Sequence, residues 1–214
     1  MQRAALLAVA VFLVLALAVV PAGGQAQQSD NPLLAARLDA LAAAFFQREQ
    51  VPGAIAAVVS GDTTILRGYG FADIDKGLSV SPEETRFEIG SITKLFTWIA
   101  VMILVEDGAL NLADDIAPLL PVGLVPGETP LSMAHLMSHR PGFEESFAIF
   151  DESVSSLPRV EAMFVAAPEQ VFPRGEVTSY SNWGVALAGL VVEEVSGVSW
   201  EEFIETRILE PLGM

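Results

Sequence analysis

Eleven consecutive residues, 95–105, carry a single polar side chain, Thr97, and are bounded by Gly90-Ser91 before and Glu106-Asp107-Gly108 after. The run is too short to span a bilayer, which takes about 20 residues, and it lacks the alternation of a half-buried strand. It predicts a helix buried on all sides in a soluble core. Residues 182–195 form a second nearly all-apolar helical segment, stopped by Ser196-Gly197, where glycine suits the left-handed position just past a helix end. Ser199-x-x-Glu202 then has the form of a capping box that starts a last helix.

The region before residue 90 has a different pattern. Asn31 as cap and Pro32 in the first turn open a helix on which Leu34, Leu38, Leu41 and Phe45 recur at helical spacing, and Val51-Pro52-Gly53 ends it. Residues 54–59 and 64–69 are short runs with β-branched members, separated by Ser60-Gly61-Asp62, the pattern of a hairpin. A proline- and glycine-rich stretch, 118–130, is followed by short helical stretches around 132–139 and 158–166.

Composition removes several function classes. The 214 residues contain no cysteine, which excludes a disulfide scaffold and a Cys-ligated zinc site. Eleven basic against 27 acidic side chains give a net charge of −16, which repels phosphate and argues against a nucleic-acid partner. Residues 4–20 are uninterrupted hydrocarbon behind Arg3 and ahead of Pro21, the core of a signal peptide ending near Gly24-Gln25-Ala26 or, if uncleaved, of an N-terminal anchor. Either reading exports residues 27–214 to the periplasm or the exterior, with membrane contact only through the leader.

Ser91-Ile92-Thr93-Lys94 is the most informative tetrapeptide. With Ser91 at the mouth of the apolar helix, Lys94 lies one turn on, on the same face and within reach of the hydroxyl. A serine hydroxyl is a weak nucleophile that needs a base, and burial together with the positive end of a helix dipole favours the neutral amine that could be one. The same helix end offers the Ser91 backbone N–H to an oxyanion. Fifteen serines and two lysines make a chance S-x-x-K roughly 14% probable, so the motif alone is weak. Tyr180-Ser181-Asn182, at the mouth of the second apolar helix, adds a Y-x-N whose chance occurrence is roughly 3%. By itself that pair reads as an interfacial aromatic and a helix cap; in this order with Ser91 and Lys94 it reads as a site.

On these residues the chain resembles the serine β-lactamase and penicillin-binding superfamily, in the branch with tyrosine in the second motif: class C β-lactamases, D-alanyl-D-alanine carboxypeptidases and related esterases. The resemblance also rests on Val51-Pro52-Gly53, Gly68-Tyr69-Gly70, Phe87-Glu88-Ile89-Gly90, Leu136-Met137-Ser138-His139 followed by Gly142, and Pro211-Leu212-Gly213-Met214. It implies an α+β fold, an antiparallel sheet flanked by helices plus a helical subdomain. It further implies an acylated nucleophile at Ser91, a proton-sharing Lys94, and Tyr180 as general base or relay. Asn182 would hold the lysine and the carbonyl side of a β-lactam, D-Ala-D-Ala peptide or small ester. No cofactor or metal is implied, and Thr93 and Ser181 receive no role.

Members carry a third motif, lysine or histidine followed by threonine or serine and glycine, on a strand beside the nucleophile; none follows Asn182 here. Residues 27–214 are therefore expected to be the first part of the fold, poorly folded or weakly active alone, since an oxyanion hole reduced to one donor costs about 10²-fold to 10³-fold in rate. The alternative is a non-catalytic penicillin-binding-like protein acting as a binding or scaffold module.

Three other groupings are weaker. His135 and His139 stand four apart, as metal ligands on a helix could, but Leu136, Met137 and Ser138 between them supply no glutamate, so a hydrogen-bonded structural role is expected. Glu144-Glu145 reads as a solvated face. Gly68-Tyr69-Gly70 lacks the later glycine of a nucleotide fingerprint and reads as strand packing.

Overall fold

The computed structural model describes residues 31–61, 63–121, 123–125, 127, 129–145 and 167–214. The leader and the helical stretch expected at 158–166 lie outside the described residues. Two compact units divide between Ile89 and Gly90.

In the first unit, α1 (Pro32–Glu49) begins where expected: Asn31 Oδ1 accepts the Leu34 N–H at 3.1 Å and Pro32 occupies the first turn. The helix ends at Gln50, left-handed at φ 51°. Strand β1 (Gly53–Ser60) pairs antiparallel with β2 (Thr63–Asp73) from Gly53 opposite Gly70 to Ser60 opposite Thr63, around a turn that holds Gly61 at φ 57°. A two-residue β3 (Leu78–Ser79), too short to carry a sequence signal, completes the order β1-β2-β3. Gly68 is explained by strand packing, because a Cβ there would stand 2.6 Å from the Val80 carbonyl oxygen. Tyr69 ties β2 to α1 by donating its hydroxyl to Asp39 Oδ1 at 2.8 Å; burial, then that bond, pushes the phenol up to about 12.

In the second unit, a 3₁₀ turn (Gly90–Ile92) leads into α2 (Thr93–Glu106), and α3 (Met133–Met137), α4 (Asn182–Ser196), α5 (Trp200–Ile204), a π-helical turn (Glu205–Leu209) and α6 (Glu210–Leu212) follow. Helix α4 is the centre: ten of its residues are buried, against Val101, Leu104, Leu131, Leu136, Phe143 and Phe203 among others. Gly197 stops it in the left-handed conformation at φ 77°. Ser199 starts α5 by accepting the Glu202 N–H at 3.2 Å.

The lone polar residue of the apolar run has a specific partner. Thr97 is buried, and its Oγ1 accepts the Trp200 indole N–H at 3.2 Å, while the Trp200 backbone N–H donates to Oε1 of the fully buried Glu193 at 2.8 Å. The two hydrogen bonds, from the Trp200 indole to Thr97 and from the Trp200 backbone to Glu193, thereby join α2, α5 and α4. Complete burial of α2 is not observed. It buries Thr97, Ala100, Val101 and Leu104, but Leu95 and Met102 are 54% and 44% exposed and border an open apolar groove of about 550 Å³ with Trp98 and Ile99. Helices α4 and α5 cover one side of α2, and a run whose one polar residue is itself buried does not show which side that is.

Candidate active site

The two motifs meet. Ser91 lies in the 3₁₀ turn and Lys94 in the first turn of α2, and the Lys94 Nζ donates to Ser91 Oγ at 3.0 Å. Tyr180, 89 residues further on, donates its hydroxyl to the same Oγ at 2.8 Å. Lys94 Nζ also stands 4.9 Å from the centre of the Tyr180 ring, close enough for a cation–π contact. Ser91 and Tyr180 are exposed and Lys94 is half-buried, so the serine is open to a ligand while its two partners are held.

Tyr180 is fixed from the side by His139. Their rings lie 4.5 Å apart, and Trp98 meets His139 edge-on at 6.4 Å. His139 Nδ1 accepts the Ser181 N–H at 3.3 Å, and its carbonyl accepts the Ser179 N–H at 2.8 Å, so both sides of Tyr180 are tied to one residue. This needs His139 in the left-handed conformation, φ 53°, unusual for a side chain with a Cβ. His135 is occupied differently. Its Nδ1 accepts the Ser132 N–H at 3.3 Å while Ser132 Oγ accepts the His135 N–H at 3.4 Å, a reciprocal cap on α3 with histidine in the usual glutamate place. Both histidines have the hydrogen-bonded role expected of them, and no cluster of three metal-ligating side chains occurs among the described residues.

Around the second motif the residue roles are redistributed. Ser181, which received no role, is the helix cap: it is buried and its Oγ accepts the Gly184 N–H at 3.0 Å. The Asn182 amide reaches Glu145, Nδ2 donating to Oε2 at 2.7 Å; a bond to Lys94 is not among the hydrogen bonds of the described residues. Glu145 is thus not part of a solvated face. No local pattern could have revealed it, because its partners lie 37 and 38 residues away.

His139 makes the site sensitive to acid. Burial pushes its imidazole below the usual value, the Lys94 charge adds to this and the Glu145 charge opposes it. The folded state therefore takes up this proton at lower pH than the unfolded chain. Its stabilising contribution is complete above the unfolded value of about 6.5 and is lost as pH falls through the folded one. His135, pushed down by burial and then by Arg174, acts in the same direction. Urea midpoints at about pH 7.5 and about pH 5 should show a loss of stability that is smaller in His139→Asn, since asparagine tolerates a positive φ and does not titrate. An equal loss in both proteins would place the titration elsewhere.

Residues 38–214 match the family described as Beta-lactamase. The chain is 30% identical over 174 residues to "Protein flp" of Staphylococcus aureus (strain MRSA252), covering 78% of this chain and 35% of that protein. Among solved structures it resembles the octameric penicillin-binding protein homologue from Pyrococcus abyssi, with TM-score 0.74, 32% identity, and 84% of this chain but 43% of that one covered. A class C beta lactamase from Rhodobacter sphaeroides gives TM-score 0.63 at 27% identity, covering 82% and 49%. The chain thus spans about a third of the curated relative's length and under half of these two solved chains.

Proposed function

Because the chain belongs to the β-lactamase family, we propose that it supplies the nucleophile of a serine acyl-transfer hydrolase acting on a β-lactam, a D-Ala-D-Ala peptide or a small ester. The observation that carries this reading is the convergence of Lys94 Nζ at 3.0 Å and Tyr180 OH at 2.8 Å on one exposed serine oxygen. Either partner, once deprotonated, can take the Ser91 proton, so the pair is assigned the role of base jointly. Ser91 Oγ then bonds to the substrate carbonyl carbon. The C–N or C–O bond breaks, the leaving group takes the proton held by the pair, and water later cleaves the acyl-serine with the same pair as base. Asn182, two residues after Tyr180 at the start of α4, is proposed to face the substrate. The apolar run at residues 4–20 supports an exported location.

A fluorescent penicillin and a fluorophosphonate test the reading directly. One of them is expected to label the protein, at the reduced rate expected of residues 27–214 alone, and Ser91→Ala should abolish that label. Absence of label with both, in a folded protein, would favour a non-catalytic binding module. Turnover of nitrocefin, p-nitrophenyl butyrate and a D-Ala-D-Ala peptide then ranks the substrates.

A further inference from the structure

Helix α4 must carry the second motif at its mouth, yet the first N–H groups of a helix have no partner within it. Ser181 satisfies only Gly184. The remaining donors go to a single carboxylate from outside the helix: Glu145 Oε2 accepts the Asn182 N–H at 2.8 Å and Asn182 Nδ2 at 2.7 Å, and Oε1 accepts the Trp183 N–H at 3.4 Å. A carboxylate at the positive end of a fifteen-residue helix is favoured by the helix dipole, and hydrogen bonds to an ionised acceptor are about twice as strong as neutral ones.

We infer that Glu145 is the positioning residue of the second motif, setting both the start of α4 and the orientation of the Asn182 amide. An asparagine amide can turn over, exchanging its oxygen for its nitrogen. With one Nδ2 hydrogen on a carboxylate, the reversed orientation would face oxygen against oxygen. Asn182 is therefore fixed with Oδ1 and one remaining N–H directed away from Glu145, one acceptor and one donor for a ligand. Glu145 acts through Asn182 and the first turn of α4, where its hydrogen bonds to Asn182 and Trp183 are made. The inference rests on the proposed acyl-transfer reading for its catalytic consequence, but not for its geometry.

The test uses Glu145→Ala, Asn182→Ala and the double variant, with the rate of Ser91 labelling by the fluorescent penicillin or the fluorophosphonate. Glu145→Ala should slow labelling by about 10-fold to 100-fold, as loss of an orienting outer partner does. In the Asn182→Ala background the same change should cost less than about 2-fold, because the two side chains act as one unit. Glu145→Gln keeps one acceptor oxygen for Asn182 and should recover part of the rate. Labelling of Glu145→Ala at the unaltered rate, or losses that multiply in the double variant, would overturn the inference. Amide exchange gives an answer independent of activity: Glu145→Ala should speed exchange at Asn182 and Trp183 by about 10-fold and shift the Asn182 side-chain amide resonances, leaving Gly184 unchanged. If the unaltered protein takes neither label, the acyl-transfer reading fails while exchange still decides the role of Glu145. Unchanged exchange at both residues would refute that role.

Discussion

Replacing Lys94 by alanine is expected to slow Ser91 acylation by about 10³-fold or more, the largest effect of any single change outside the nucleophile itself. Lys94 Nζ bonds directly to the serine oxygen and lies over the ring of Tyr180, so its removal takes one member of the proposed proton-accepting pair and disturbs the other. Lys94→Arg separates the two roles of the amine. A guanidinium keeps the positive charge beside Tyr180 but does not give up its proton near neutral pH. If Lys94 serves as a base, the arginine variant is as slow as the alanine variant; recovery to near the original rate would leave it only an electrostatic role. Because Tyr180 shares the task, Tyr180→Phe combined with Lys94→Ala should be little slower than Lys94→Ala alone. Labelling rates for the four proteins, each with its unfolding midpoint, decide between these outcomes.

The elements that could be read from the sequence are those whose cause is local. Asn31 and Pro32 announce α1, Gly61 lies in the hairpin turn and Gly197 stops α4, because caps and positive φ act within a few residues. The spacing of Ser91 and Lys94 was legible for the same reason: three residues on the first turn of a helix fix a contact. Thr97 marked an anomaly in the apolar run without naming its cause, since Trp200 is 103 residues away. Glu145 gave no mark, being one of two adjacent acids on a loop, and its meaning comes only from the folded position of α4. The exposed side of α2 is not legible in the sequence, because hydropathy reports how much of a helix can be buried and not which neighbours arrive.

Trp183→Ala is expected to destabilise the second unit by about 3 to 5 kcal/mol, the range for deleting a large aromatic from a packed core. Trp183 is 1% exposed and meets the edge of Phe143 at 5.3 Å with the rings 89° apart, a favourable aromatic geometry beyond simple burial. Against a typical domain stability of about 5 to 15 kcal/mol, this is a large fraction of the total, and the urea midpoint should fall accordingly. Tyr180, three residues earlier, makes the opposite case. It is 51% exposed, so Tyr180→Phe should leave the midpoint within about 0.5 kcal/mol while slowing acylation. The same short segment thus divides into a side chain that hydrogen-bonds the serine and one that anchors the start of α4. A Trp183→Ala protein that unfolds at the original urea concentration would mean that the core around α4 does not depend on this contact.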